Sequence, residues 1–327
     1  MTPAFRIMVA GQDATGAVGD RLLSLTVTDN DGGVADQVVI DLDNRDGRIA
    51  MPDREAKLEV SLGFTGQALA FMGVFAVDGV GGEGPAASLR ITATAADLKS
   101  DIRSPRTRAW EGKTLSDIVR TIAGEAGLKP VVGASVAGAA WDYLAQTAES
   151  DLNFLTRIAA TLDATAKPAG GALIVQRRGE GKTAAGDVLT PPVITPARLS
   201  RWTWSLDGRE VYGAVEALWS DTGTGTVNKV TVGSGTPRRA LRHVHRTEAE
   251  ARRAAQATLS GAARSAMSIS AGLAGFEPGL LAGATARLAG PGLHPAELAG
   301  EWQITKVTHR LDGSGLITGF DGKKGAA

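Results

Sequence analysis

The chain contains no cysteine. This excludes a disulfide framework, a thiol nucleophile and any thiolate-ligated metal, and it suits assembly in a reducing cytoplasm. With four histidines, a metal site would have to be built from imidazoles and carboxylates. Net charge is also missing, since 35 lysines and arginines balance 35 aspartates and glutamates. No global field therefore draws the chain to nucleic acid or to an anionic membrane surface. No stretch approaches the ~18 uncharged apolar residues of a membrane span. Residues 1–10 lack the basic, apolar, small-residue order of a signal peptide, so a soluble, unexported chain is expected. Aromatics are scarce, at 5% of 327 residues, while glycine is plentiful, at 42. That balance reflects many turns and small strand residues, or the codon usage of a GC-rich genome.

The length accommodates more than one core, because single domains usually run ~100–200 residues. Period-two or short apolar runs recur at 5–9, 22–28, 37–42, 58–64, 69–80 and 89–95, with turn chemistry at 29–33, 44–47 and 79–85. Such spacing predicts a barrel or sandwich. A short helix is expected near 95–100, followed by a polar connector at 103–108. Strand signals resume at 199–206, 210–219, 227–232, 265–271, 285–289, 301–308 and 315–320, after a Gly- and Pro-rich linker at 179–196. They are interrupted once, near 247–264, by a segment with a capping box of Thr247 and Glu250 and an apolar face made mostly of alanine. Alanine allows close docking on a sheet but buries little area.

Two further helices stand between the strand-rich regions. In the first, Thr114 is placed to cap, with Asp117 three residues on, and Leu115, Ile118, Val119, Ile122 and Ala126 recur at helical spacing before Gly127 and Pro130 stop it. In the second, Ser150 or Asp151 caps a stripe of Leu152, Leu155, Ile158, Ala159 and Leu162, widened by Phe154. Residues 164–176 then read as a hairpin turning at Pro168-Ala-Gly-Gly171.

The wording of this region, Trp110-Glu-Gly-Lys-Thr-Leu-Ser-Asp-Ile-Val-Arg-Thr-Ile-Ala123 and Gln146-Thr-Ala-Glu-Ser-Asp-Leu-Asn-Phe-Leu-Thr-Arg-Ile-Ala159, resembles the late control protein D family of contractile-tailed phages. The resemblance extends to Asp41-Leu-Asp-Asn-Arg-Asp-Gly-Arg48, Leu58-Glu-Val-Ser-Leu-Gly63 and Trp302-Gln-Ile-Thr-Lys-Val-Thr-His-Arg-Leu311, and so spans nearly the whole chain. It implies a baseplate hub, in which two barrel domains per subunit, repeated in a homotrimer, match a six-fold tail tube and receive a three-fold tail spike. No internal repeat is visible in the residues, so the duplication comes from the resemblance alone.

Motifs that suggest chemistry fail on spacing. Gly179-Glu-Gly-Lys-Thr183 echoes a phosphate-binding loop, but Gln176 stands where the earlier glycine belongs and no helix follows, which leaves a linker. Asp221-Thr-Gly223 occurs once, whereas an aspartic dyad needs two carboxylates, so a turn is expected. In Asp41-Leu-Asp-Asn-Arg-Asp-Gly47, Arg45 occupies a calcium-ligand position and would repel the ion, so the segment reads as a strand end and Asx turn. His243 and His245 alternate on a strand between Arg242 and Arg246, and two imidazoles fall short of a zinc site. They are expected to be surface or interface histidines. Arg103, Arg106 and Arg108 near Trp110 form a basic cluster read as a solvated connector. Trp202 and Trp204 alternate on one strand and are expected to be core anchors, with one or two of the six tryptophans left for subunit contacts. Neither a Gly-x-Ser-x-Gly elbow nor a nominated carboxylate pair is present.

The expected fold is therefore mainly β with an α+β insert. A first β-barrel-like tube domain covers 1–104, a helix-helix-hairpin module 105–186, and a second barrel 187–327 with a helix inserted near 247–264. No catalytic, cofactor-binding or metal residue is assigned. The expected role is a structural baseplate hub of a contractile phage tail or tail-like injection particle, a trimeric adapter with spike, tube or tube-initiator and other baseplate proteins as partners. Assembly is expected in the bacterial host cytoplasm. The alternatives are a monomeric carbohydrate-binding β protein and a cell-wall-degrading tail component. Such degrading hubs carry an added lytic domain, for which no residues are left over. A transcription regulator would need a basic recognition element, against which the neutral charge argues.

Overall fold

The computed structural model describes residues 1–32, 34–85, 87–95, 100–179, 190–206 and 212–325. The amino-terminal strands are β1 (Pro3–Val9), β2 (Gln12–Asp13), β3 (Leu22–Asn30), β4 (Gln37–Asp43), β5 (Lys57–Phe64), β6 (Ala70–Glu83) and β7 (Ser88–Ala95), with a helical turn α1 (Thr15–Gly19) after β2. Alternation decides which face is buried. Val38, Ile40 and Leu42 of β4 and Leu58, Val60 and Leu62 of β5 point into one core with Leu25, Phe75 and Val77. The glycines at 79, 81 and 82 read locally as a turn, yet β6 continues through them to Glu83, because β7 supplies the ladder partners from Gly79↔Thr92 to Glu83↔Ser88. The helix expected near 95–100 lies mostly outside the described residues, and only α2 (Ser100–Arg103) is seen there.

The α+β module follows as β8 (Pro105–Thr114), α3 (Leu115–Ala126), β9 (Lys129–Val132), α4 (Ala134–Ala137), β10 (Ala140–Ser150), α5 (Asp151–Ala160), β11 (Ala164–Ala169) and β12 (Ala172–Arg177). The Thr114 hydroxyl accepts from the Asp117 amide and the Asp117 carboxylate accepts from the Thr114 amide, a reciprocal capping box. Gly127 closes α3 at φ 68°, the left-handed conformation that a Cβ disfavours. Ser150 caps α5 through the Asn153 amide. Gly170 and Gly171, at φ 59° and 75°, turn the β11–β12 hairpin, as a two-residue loop with both central residues at positive φ requires. Residues 105–108, expected to be a connector, are instead the start of β8, which pairs along its length with β10.

The carboxy-terminal strands are β13 (Val193–Ile194), β14 (Leu199–Leu206), β15 (Ala214–Asp221), β16 (Thr226–Gly233), β17 (Arg238–His245), β18 (Met267–Leu273), β19 (Thr285–Leu288), β20 (Gly300–Asp312) and β21 (Gly315–Lys324), with α6 (Glu248–Arg264) before β18. They do not form one sheet broken by a helix. β16-β15-β17 is a separate sheet on which α6 docks, with Ala251 and Ala255 packed against Val215, Ala217 and Val230. The small alanine face lets helix and sheet approach closely. The other strands belong to one large sheet in the order β14-β18-β21-β20-β3-β4-β7-β6-β5-β1-β2. This sheet crosses from carboxy-terminal to amino-terminal strands at β20–β3, from Lys306↔Asn30 to Asp312↔Ser24. The molecule is thus mainly β, with an α+β insert beside a sheet shared by both ends of the chain.

Thr114→Ala removes the cap of α3 and should lower the unfolding free energy by ~1 kcal/mol in urea titrations, with the m-value unchanged.

Candidate assembly surface

The segment after β3 is gripped from two sides. On the module side, the Lys167 ammonium on β11 donates to the Asp29 carboxylate and lies 2.9 Å from Asp36. Arg178 Nη1 donates to Asp31 Oδ2 at 2.6 Å, and Thr165 Oγ1 donates to the Asp31 carbonyl at 2.7 Å. On the carboxy-terminal side, Gln303 Nε2 reaches the same Oδ2 at 3.2 Å, the Asp31 amide donates to the Thr305 carbonyl, and the Ala282 amide donates to Asp29 Oδ2 at 2.8 Å. Gly32 is required here. Its φ is +87°, and a Cβ would lie 2.2 Å from Thr165 Oγ1.

Burial sets the protonation chemistry of this junction. It pulls the Lys167 ammonium downward, but Asp29 and Asp36 together outweigh it and hold the pKa above the ordinary lysine value. Burial also raises the Asp31 and Asp36 carboxyls despite their cationic neighbours. A cavity of about 350 Å³ adjoins the cluster, with Phe71, Met72, Lys167, Leu281 and His309 in its wall. His309 is buried, 2.9 Å through Nδ1 from Thr318 Oγ1, and burial lowers its pKa from 6.5 to about 4.

A second contact ties the module to the α6 unit. Arg264 pairs with the buried Asp163, Arg253 donates to the Ala140 carbonyl at 3.1 Å, and the Arg253 and Arg246 guanidinium groups lie over Trp141 and Tyr143. Within the module, Arg106 and Arg108 share Glu125 and reach the buried Asp151, while Arg108 stacks 4.5 Å from the Trp110 ring. Arg106 and Arg108 are half-buried braces, which corrects the reading of a solvated basic connector for those two, while Arg103 is exposed. The forks satisfy a carboxylate that would otherwise be buried alone.

The other motif residues fall in dispersed places. Asp221 Oδ1 accepts from the Gly223 amide, an Asx turn between β15 and β16. Asp41 pairs with Arg90, Asp43 with Arg45 and Asp46 with Arg21, so those carboxylates are engaged at a strand end. His243 and His245 meet edge to face at 4.8 Å on β17. His245 is buried, and its pKa is lowered by burial and by His243. Gly179 ends the described part of the phosphate-loop look-alike, whose other residues lie outside the described residues.

The tryptophans divide in an unexpected way. Trp110, Trp141 and Trp302 are buried, Trp202 packs partly against the carboxy-terminal core, and Trp204 is 44% exposed. Register explains the difference. Trp202, Trp204 and Leu206 stand opposite Ala271, Ile269 and Met267, whose side chains belong to that core, but β14 is the last strand of the sheet and nothing described covers its distal half. Trp204 is therefore not the core anchor expected from its alternation. Leu206 and Phe71, both 61% exposed, were not singled out by the sequence, because isolated exposed apolar residues have no periodic signature. Lys167 was equally silent, although a lone lysine inside an apolar hairpin strand was an available cue.

The fold is thus a broad β sheet shared by both ends of the chain, with an α+β module braced against it and apolar side chains exposed at its edge. The profile of the phage tail baseplate hub (GPD) family matches residues 37–315, and the chain belongs to that family. It is 31% identical over 362 residues to the probable baseplate hub protein of Escherichia phage 186, covering 98% of this chain and 92% of that one. It is 36% identical over 222 residues to the probable baseplate hub protein of Escherichia phage P2, covering 68% of this chain and 57% of the P2 protein. The 43 kDa tail protein of prophage MuSo2 from Shewanella oneidensis has the same fold, at TM-score 0.73 and 13% identity over 98% of both chains.

Lys167→Met leaves Asp29 and Asp36 facing each other without their shared cation. It should cost ~3 kcal/mol of stability, and adding Asp36→Asn should recover part of that loss in chemical denaturation. For His309, the unfolded chain takes up a proton below pH 6.5, whereas the folded chain does so only near 4, so stability falls as pH drops through that window. The raised Asp36 carboxyl acts in the opposite sense. His309→Asn should therefore flatten or invert the stability slope over that interval, read from urea midpoints at successive pH values.

Proposed function

We propose that the chain forms a homotrimeric hub that adapts a six-fold tail tube to a three-fold spike. The observation that carries this reading is the single sheet that runs through amino-terminal and carboxy-terminal strands of one chain. Three copies, each offering two β regions, match six-fold symmetry on one face while keeping three-fold symmetry on the other. The division into a tube domain at 1–104, a module at 105–186 and a second tube domain at 187–327 belongs to this proposal. So do the partners: the spike, the tube or tube-initiator protein, and other baseplate proteins.

The role is structural and not enzymatic. Each subunit contact in such a ring would bury ~2,000 Å² or more, as obligate assemblies do, and a heterologous three-fold interface leaves a lumen. The ion cluster around Asp29, Asp31 and Lys167 holds the module against the sheet, so that the module rides with the ring as one body. Assembly takes place in the host cytoplasm, before the particle is released with the virion tail.

Light scattering on the purified chain, alone and with candidate spike protein, tests the proposal. The expected result is a mass near three times 33.6 kDa, or a defined three-plus-three complex with the spike. A monomer that ignores both spike and tube would overturn the hub and bring the carbohydrate-binding reading forward.

A further inference from the structure

In the large sheet, two long strand edges, one at each end of the chain, have no backbone partner strand among the described residues. The first is β14, which pairs with β18 and has no strand on its outer side. The second is the distal half of β6. Its ladder with β5 ends at Lys57↔Ala76, and Val77 is engaged by Glu55 and Ala56, so from Asp78 to Glu83 only β7 is paired. At the sheet's remaining end, β2 pairs with Met8 and Val9 of β1 and covers only part of that strand. Thr15 Oγ1 accepts from the Ile7 amide and the Ala14 amide donates to the Ile7 carbonyl, so the edge of β1 is engaged from Ile7 to Val9.

The two open edges are complementary in size and charge. The β14 edge carries Trp202, Trp204 and Leu206 on one face and Arg201, Thr203 and Ser205 on the other, and Arg201 makes no ion pair among the described residues. The β6 edge is acidic and small: beyond an irregularity at Asp78, Val80 and Gly82 lie on one face and Gly79, Gly81 and Glu83 on the other. Val80 is 37% exposed. On the Val80 face, the glycine at 82 leaves room for an indole ring, where a larger side chain would collide.

We infer that β14 of one copy adds antiparallel to the distal half of β6 in a second copy, with Arg201 opposite Glu83, Thr203 opposite Gly81 and Trp204 opposite Val80. This register preserves parity on both strands. The tryptophan face meets Val80 and the glycine at 82, and the one arginine meets the one glutamate. Main-chain hydrogen bonds supply affinity and the alternate side chains supply register, the logic of strand addition. Because the joined edges differ, the contact is heterologous and head to tail, and it closes a ring when the rotation per copy is one third of a turn. Burying Trp204 also removes an exposed apolar residue from an open edge, which is otherwise an aggregation hazard. The inference rests on the trimeric reading above and names the surfaces that make the trimer.

The cysteine-free sequence makes the test clean. Thr203→Cys and Gly81→Cys are introduced together and oxidised. Gly81 has open space for a Cβ and no positive φ, so the substitution is tolerated. The expected result is a reducible ladder on denaturing gels that ends at three covalently joined chains. Thr203→Cys with Gly124→Cys, a helical position that also has open space, should give none. Trp204→Lys should raise the trimer dissociation constant about thirtyfold or more, as loss of a central aromatic contact does, without lowering the unfolding midpoint of the monomer. If the 203/81 pair crosslinks no better than the control while both proteins weigh as trimers, the strand pairing is wrong and the hub reading stands. If the cysteine-free chain is itself monomeric with and without spike, both fall together.

Discussion

The architecture depends on one ammonium group. Lys167 lies between Asp29 and Asp36, beside the Asp31–Arg178 pair, at the point where the module meets the sheet. Removing these charges from water is costly, and each is tolerable only while its counterion is in place. That condition makes the junction specific. A module shifted by one residue along β11 would replace Lys167 with Ala166 or Pro168 and strand the carboxylates. Apolar packing alone tolerates such slips far better. Close contact at Gly32 adds a steric requirement to the electrostatic one.

From that junction the organisation of the molecule follows. The segment after β3 is held by the module through side chains and by the β19–β20 region through backbone and Gln303, so module and both strand groups meet at one locus. The α6 unit is attached to the module through Arg264 and Arg253 and not through the large sheet's ladder. The α6 unit and the α+β module are therefore braced to each other beside a continuous β surface.

Local physics was legible wherever a segment's neighbours in sequence were also its neighbours in space. The Thr114 and Asp117 capping box, the Gly127 stop, the Ser150 cap, the glycine turn at 170–171 and the alternation in β4 and β5 appear in the fold where their chemistry places them. Readings failed where a distant partner overrode local propensity. Residues 105–108 looked like a connector because their arginines are polar, but Glu125, Gln146 and Asp151 make Arg106 and Arg108 a half-buried brace on a strand. The glycines at 79–82 looked like a turn, but β7 holds them as a strand. Trp204 looked like a core residue, but β14 is an edge.

What the sequence determined by itself was class, family resemblance and the positions of α3, α5 and α6. Caps, periodicity and residue order are short-range properties and survive in one dimension. What only the tertiary structure decided was which strands share a sheet, that β15–β17 and α6 stand apart from it, and which edges are left without partners. Those are pairings between residues tens or hundreds of positions apart. A strand's pattern states which of its faces is buried, but backbone amides and carbonyls are the same in every strand, so it does not state which strand lies beside it.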